Sequence, residues 1–99
     1  MAEYQITYWR NFPAMVTARE GRRNTSKTEL PQRFQLAIDE AAMRLNLIGT
    51  DAYLEEWRKE GWQARDGTPE EVAQAVAKEL ETEYPQARVL DMLREIKQG

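Results

Sequence analysis

The sequence predicts an α+β domain built from a duplicated β-β-α unit, and three observations support this prediction. Short segments alternate apolar and polar residues, as half-buried strands do. Longer segments carry apolar residues at helical spacing. The chain also repeats itself, since Trp9-Arg10, Ala18-Arg19-Glu20-Gly21 and Pro31 are echoed by Trp57-Arg58, Ala64-Arg65-Asp66-Gly67 and Pro69. We predict the order ββαββα, with a four-stranded antiparallel sheet covered on one face by two helices, plus a C-terminal helix.

The first repeat unit spans about residues 4–46. Alternation from Tyr4 to Trp9 predicts a strand, and the extended pattern that resumes after Pro13 predicts its antiparallel hairpin partner. Residues 19–27 are rich in basic and small polar residues, which predicts a loop. A helix is predicted from Pro31, whose fixed φ suits a first helical turn, to about Asn46.

The second repeat unit spans about residues 51–84 and begins ambiguously. Asp51 could cap a helix, whereas the repeat favours a second hairpin in which Gly61 supplies a left-handed turn position. The next helix is clearly marked, because Thr68-Pro69-Glu70-Glu71 has the form of a capping box with proline at the first helical position. We predict one α+β domain over residues 1–85. Residues 86–99 should form an amphipathic helix that packs on the domain, self-associates or docks on a partner.

Composition restricts the chemistry. The 99 residues are 41% hydrophobic and 31% charged, as in soluble globular domains, and they include no cysteine and no histidine. Thiol nucleophiles, disulfides and histidine-based zinc sites are therefore excluded. Acid–base catalysis would need a perturbed Asp, Glu, Lys or Tyr, and no motif marks one. We expect no enzymatic activity, cofactor or metal, and we expect a cytoplasmic protein because no secretory signal or membrane-spanning stretch is present.

One candidate binding segment is the basic stretch from residue 19 to residue 27. It could hold a phosphate or an anionic cofactor, or it could be a solvated surface loop. The first fifty residues are net basic and the remainder is net acidic, which could orient a charged partner. The overall charge of −3 argues against general nucleic-acid binding. The basic residues of the segment are Arg19, Arg22, Arg23 and Lys27.

A second candidate is the pair Trp9 and Trp57, each followed by an arginine, Arg10 and Arg58. Tryptophan and arginine are enriched at protein interfaces, and indole rings also stack on bases. The alternative is that the aromatic side chains fill the core. If both tryptophans lie on a sheet face that no helix covers, a partner surface is favoured.

Four segments resemble a family of small bacterial proteins labelled conserved virulence factor. They are Tyr8-Trp9-Arg10-Asn11-Phe12-Pro13-Ala14-Met15-Val16, Pro31-Gln32-Arg33-Phe34-Gln35, Ala37-Ile38-Asp39-Glu40-Ala41-Ala42-Met43-Arg44 and Asp51-Ala52-Tyr53-Leu54-Glu55-Glu56-Trp57. The resemblance covers about residues 4–84. It implies an accessory role beside corrinoid and folate methyl-transfer enzymes, and it implies no catalytic or binding residues.

We therefore expect a small non-enzymatic accessory protein that acts through protein–protein contacts or self-association. The alternative is a binder of an anionic ligand, either a phosphate-bearing cofactor or single-stranded nucleic acid, through segment 19–27. No membrane association is expected. The candidate surface residues are Trp9, Arg10, Arg19, Arg22, Arg23, Lys27, Trp57 and Arg58.

Overall fold

The predicted α+β class is confirmed by a computed structural model, which describes residues 2–21 and 24–96. Strands and helices occur in both halves of the chain, and a further helix follows near the C-terminus. The elements are β1 (Ala2–Trp9), β2 (Phe12–Glu20), β3 (Asn24–Glu29), α1 (Gln32–Arg44), α2 (Asp51–Glu55), β4 (Trp57–Lys59), β5 (Gln63–Arg65), α3 (Pro69–Glu83) and α4 (Gln86–Arg94).

All strand pairs in the sheet are antiparallel. The order is β3-β2-β1, and both β4 and β5 lie along the remaining edge of β1. The predicted hairpin is present as β1 and β2, joined by Arg10 and Asn11, with Arg10 at a positive φ of 54°. A bulge shifts the register between Thr7 and Tyr8.

The loop predicted over residues 19–27 is instead largely strand. β2 continues to Glu20, and β3 pairs with it so that Arg19 lies opposite Thr25 and Thr17 lies opposite Lys27. β3 is an edge strand of polar residues, most of them exposed. Such a strand carries no apolar alternation, and therefore its composition resembles that of a loop.

The predicted second hairpin is wrong, because β4 and β5 do not pair with each other. They lie end to end along β1, with Lys59 opposite Thr7 and Gln63 opposite Tyr4. Gly61, in the interruption between them, has no positive φ. Helix α2 precedes β4, and the side chain of Thr50 caps it. Residues 51–60 thus form both a helix and a strand, since the edge of β1 is long enough to pair with two short strands in succession.

Helix α3 packs on one face of the sheet. Its buried residues include Val72, Val76 and Leu80, which join Ile6 and Val16 of the sheet in a single core. The predicted capping box is confirmed by its two reciprocal hydrogen bonds. The Glu71 N–H donates to the Thr68 hydroxyl oxygen and the Thr68 N–H donates to the Glu71 carboxylate, both at 3.2 Å.

Helix α4 packs beside α1 and buries Val89 and Leu93. The two helices run in the same direction. Arg33, near the start of α1, donates to the carbonyl of Tyr84 at 3.3 Å, while Arg44 at its end donates to the carbonyl of Leu93 at 3.0 Å. None of the described helices combines the length and apolar character needed to cross a membrane.

Candidate functional site

The open face of the sheet is the face that points away from α3. An ion pair between Arg65 and Glu79 of α3 (2.6 Å) marks the helix-covered side, and alternate residues of each strand point to the other side. Residues directly opposite one another in the register share a face. The open face therefore comprises Glu3, Gln5, Thr7, Trp9, Phe12, Met15, Thr17, Arg19, Thr25, Lys27, Glu29, Trp57, Lys59 and Ala64.

A pocket of about 430 Å³ opens on this face beside the start of α1. Its apolar wall includes Trp57 and Met15, and its polar rim includes Gln35 and Glu29. Thr7 also lines the pocket, and its buried Oγ1 has no hydrogen-bond partner within the described residues. An aromatic and methionine wall with a polar rim suits an apolar side chain presented by another molecule. We call this cavity the Trp57 pocket.

Three cations lie on the open face at some distance from one another. The guanidinium of Arg19 lies 3.7 Å from the centre of the Trp62 ring and 3.7 Å from the Glu3 carboxylate. Lys27 and Lys59 are exposed. The structure thus brings Arg19 and Lys27, two residues of the predicted anion-binding segment, to one face. Arg19 is already engaged by a ring and an acid, which reduces its availability to a ligand.

The other two cations predicted in that segment, Arg22 and Arg23, lie outside the described residues. In the described part of the chain, Arg19 and Lys27 are therefore the residues of this segment that could bind an anion beside the β2–β3 pair.

Trp9 shares the open face with Trp57, which lies directly opposite it in the register, but the two differ in burial. Trp9 is 0% exposed, and its indole N–H donates to the carbonyl of Tyr53 in α2 at 2.9 Å. Trp57 is only partly buried and lines the pocket. Of this pair, Trp57 is the side chain that a partner could contact.

Arg10 and Arg58 tie elements of the fold together. The Arg10 side chain pairs with Glu56 at 3.1 Å, and its backbone N–H donates to the Glu56 carbonyl at 3.0 Å. Arg58 donates to the Arg10 carbonyl at 2.9 Å, and its guanidinium lies 4.5 Å from the centre of the Tyr8 ring. These contacts join the β1–β2 turn to α2 and β4, which gives both arginines a structural role.

Two of the described groups with clearly shifted pKa values, Tyr8 and Glu79, lie on the helix-covered side of the sheet. Burial, with a further contribution from the charge of Glu60, raises the pKa of Tyr8 to about 12. The hydrogen bond from Arg65 holds the pKa of Glu79 below its usual range. Tyr8 therefore stays protonated near neutral pH, and Glu79 stays ionised, so neither group is poised for proton transfer there.

Comparison with known proteins identifies the family. A sequence model described as "Virulence factor" matches residues 7–93. The chain belongs to the virulence factor family. No curated protein and no solved structure gives a significant match. Membership of this family agrees with the resemblance noted in the sequence, and the family description names no reaction or ligand.

Sequence reasoning missed most of the Trp57 pocket. Met15 and Thr7 lie opposite each other across β1 and β2, and Gln35 reaches the pocket from α1. Alternation places Thr7 on the same side of β1 as Trp9, which was an available signal. Tertiary contacts set the bulge after Thr7 and the position of α1. No local sequence pattern predicts either feature.

Proposed function

We propose that this virulence factor family member is a non-enzymatic accessory protein that binds another protein through the Trp57 pocket. The observation that carries the proposal is the pocket itself, where Trp57 and Met15 form an apolar wall beside polar side chains such as Gln35 and Glu29. Interface anchors are commonly aromatic, arginine or methionine side chains set in a polar rim. The lack of cysteine and histidine in the sequence supports a binding role over a catalytic one.

The family resemblance supports a class of partner for this pocket. Enzymes of corrinoid or folate methyl transfer are the first partners to examine, and the cytoplasm is the compartment in which we expect the complex. The pocket would accept one apolar side chain of the partner, while Lys27 and Lys59 would meet acidic groups around it.

The test uses Gln35→Arg, which places a longer charged side chain at the pocket rim on an exposed helical position. Gln74→Arg makes the same chemical change on the exposed side of α3 and serves as the control. Tagged wild-type protein and both variants are recovered from the native host with nuclease treatment, and co-purifying proteins are identified by mass spectrometry. We expect a stoichiometric partner with wild type and Gln74→Arg that is depleted about tenfold with Gln35→Arg.

Recovery of the protein alone in all three samples, or equal recovery of the partner with both variants, would contradict the proposal. A second candidate function is binding of an anionic ligand by segment 19–27, and the presence of Arg19 and Lys27 on one face favours it. Nuclease-sensitive material that is lost in an Arg22→Ala/Arg23→Ala double variant would support that function instead.

A further inference from the structure

A second surface lies between α1 and α4, away from the Trp57 pocket. Five large hydrophobic side chains are exposed in the described part of the chain, and three of them line this one groove: Leu36 at 57%, Met43 at 58% and Leu90 at 41% exposure. Single exposed apolar side chains are ordinary on protein surfaces, whereas a cluster of them marks a docking site. We call this surface the α1–α4 groove.

The exposed apolar side chains of the groove extend over about two helical turns of α1. The groove encloses about 600 Å³, and the buried side chains of Ala37, Val89 and Leu93 form its floor. Leu36 and Met43 are seven residues apart on α1, which is roughly 10 Å along the helix axis and about two turns. α1 and α4 pack against each other and run in the same direction, so a third helix can lie along the groove between them.

Three charged side chains line the groove: Arg33, Asp39 and Glu40. The Arg33 guanidinium donates to the carbonyls of Glu81 and Tyr84 at the end of α3. Asp39 is exposed and accepts a hydrogen bond from Gln35 at 3.0 Å, and within residues 2–21 and 24–96 no cation pairs with it. Glu40 lies beside it and pairs with Arg44 at 3.0 Å. A docked segment that placed a lysine or arginine beside Asp39 would therefore gain an ion pair at the edge of an apolar contact, where it also sets specificity.

We propose that the α1–α4 groove binds an amphipathic helix of a partner protein, with an apolar stripe about two turns long flanked by lysine or arginine. Charge argues against a second copy of this chain as the occupant. A two-fold axis that set Leu36 against Met43 of the other copy would bring the exposed Asp39 side chains of both copies close together at its centre. Like charges opposed in this way disfavour the homodimer and favour a basic helix.

The probe for this site is a synthetic amphipathic peptide of about 18 residues, long enough to form a helix in a complex. It carries leucines at i, i+3, i+4 and i+7 with lysines on the flanks, and a matched peptide replaces every lysine with glutamate. Each is titrated into the full chain and followed by NMR of backbone amides. We expect shifts centred on Leu36, Met43 and Leu90, an affinity about tenfold higher for the lysine peptide, and weaker binding at high salt.

Two exposed leucines provide matched variants. Leu36→Gln alters the groove, while Leu54→Gln makes the same change on α2, where Leu54 is 65% exposed. We expect Leu36→Gln to weaken peptide binding about tenfold and Leu54→Gln to leave it unchanged, with both variants folded by circular dichroism. Asp39→Asn should reduce the preference for the lysine peptide.

Three results would overturn the proposal: equal binding of the two peptides, amide shifts outside the groove, or equal losses from Leu36→Gln and Leu54→Gln. Sedimentation that showed a dimer dissolved by Leu36→Gln would assign the groove to a second copy and also overturn it. Because Gln35 donates to Asp39, the pocket is tested separately with Trp57→Ala on β4, which leaves that hydrogen bond in place. Loss of the pocket partner with retained peptide binding would distinguish the two surfaces.

Discussion

At the scale of single residues, sequence equivalence does not imply equivalent roles. Trp9 and Trp57 occupy matching positions in the repeat and lie opposite each other on the same face of the sheet. Trp9 is enclosed by α2 and hydrogen-bonded to Tyr53, whereas Trp57 is partly exposed at the pocket. The Tyr53 ring of α2 contacts both indoles: it is tilted by 36° to the Trp9 ring at 5.6 Å and meets Trp57 edge to face at 6.3 Å.

Substitution of the two tryptophans should separate these roles. Trp9→Phe removes a buried hydrogen bond and part of a filled core volume, and should lower the free energy of unfolding by about 2–4 kcal/mol. Trp57→Phe should lower it by less than about 1 kcal/mol, because partly exposed positions tolerate such changes. Urea denaturation followed by far-UV circular dichroism measures both values. Equal losses would contradict the assigned roles.

Tyr8 should give the protein a specific sensitivity to alkali. Its pKa is raised from 10.0 to about 12 in the folded state, chiefly by burial. The folded state therefore keeps the phenolic proton when the unfolded state has lost it. This contribution to stability is complete below pH 10 and is lost as the pH rises from about 10 to about 12, by on the order of 2 kcal/mol.

A Tyr8→Phe variant provides the comparison. The difference in unfolding free energy between wild type and variant should fall with pH over that interval and stay constant below it. Absorbance at the tyrosinate band should show that the wild type has one late-titrating phenol that the variant lacks. A constant difference across the interval would show that Tyr8 titrates normally.

At the scale of elements, the second half of the sheet is an interrupted strand where the repeat predicted a hairpin. β4 and β5 both pair with β1, and residues 60–62 form the interruption. Gly61 therefore does not supply a left-handed turn. Position 67, just before α3, does require glycine, since its φ is 127° and an added Cβ would lie 3.3 Å from Val72 Cγ2.

Alanine should have different effects on stability at the two glycine positions. Gly67→Ala forces a side chain into a left-handed backbone beside Val72 and should destabilise the fold by about 1–2 kcal/mol. Gly61→Ala has open space and ordinary φ, so it should be neutral or stabilise by up to about 1 kcal/mol through the unfolded state. Thermal denaturation of both variants checks this, and a destabilising Gly61→Ala would restore the tight-turn interpretation.

At the scale of the whole molecule, α1 separates the two proposed surfaces. Gln35 lines the Trp57 pocket, while Leu36 and Met43 line the α1–α4 groove. The opposite side of α1 fills the core with Phe34, Ile38 and neighbouring alanines. One helix thus holds both surfaces at a fixed spacing in a molecule of 44 × 29 × 18 Å.

Part of the candidate site could be predicted from the sequence. Arginine and lysine in segment 19–27 and the tryptophan of the second repeat indicated a surface, and the structure places Arg19, Lys27 and Trp57 on one open face. The sequence did not predict that Trp9 is buried or that Arg10 and Arg58 make structural contacts. These outcomes depend on contacts between α2 and the β1–β2 hairpin. Those contacts join residues more than forty positions apart in the chain.

The sequence by itself determined the α+β class, the β1–β2 hairpin and the capped α3. Each of these rests on alternation, periodicity or a hydrogen bond between near neighbours, and such interactions are local. Tertiary structure alone decided that polar residues 24–29 form an edge strand, that β4 and β5 share the edge of β1, and where the two surfaces lie. Those outcomes depend on backbone hydrogen bonds and apolar contacts between distant segments, which local patterns do not encode.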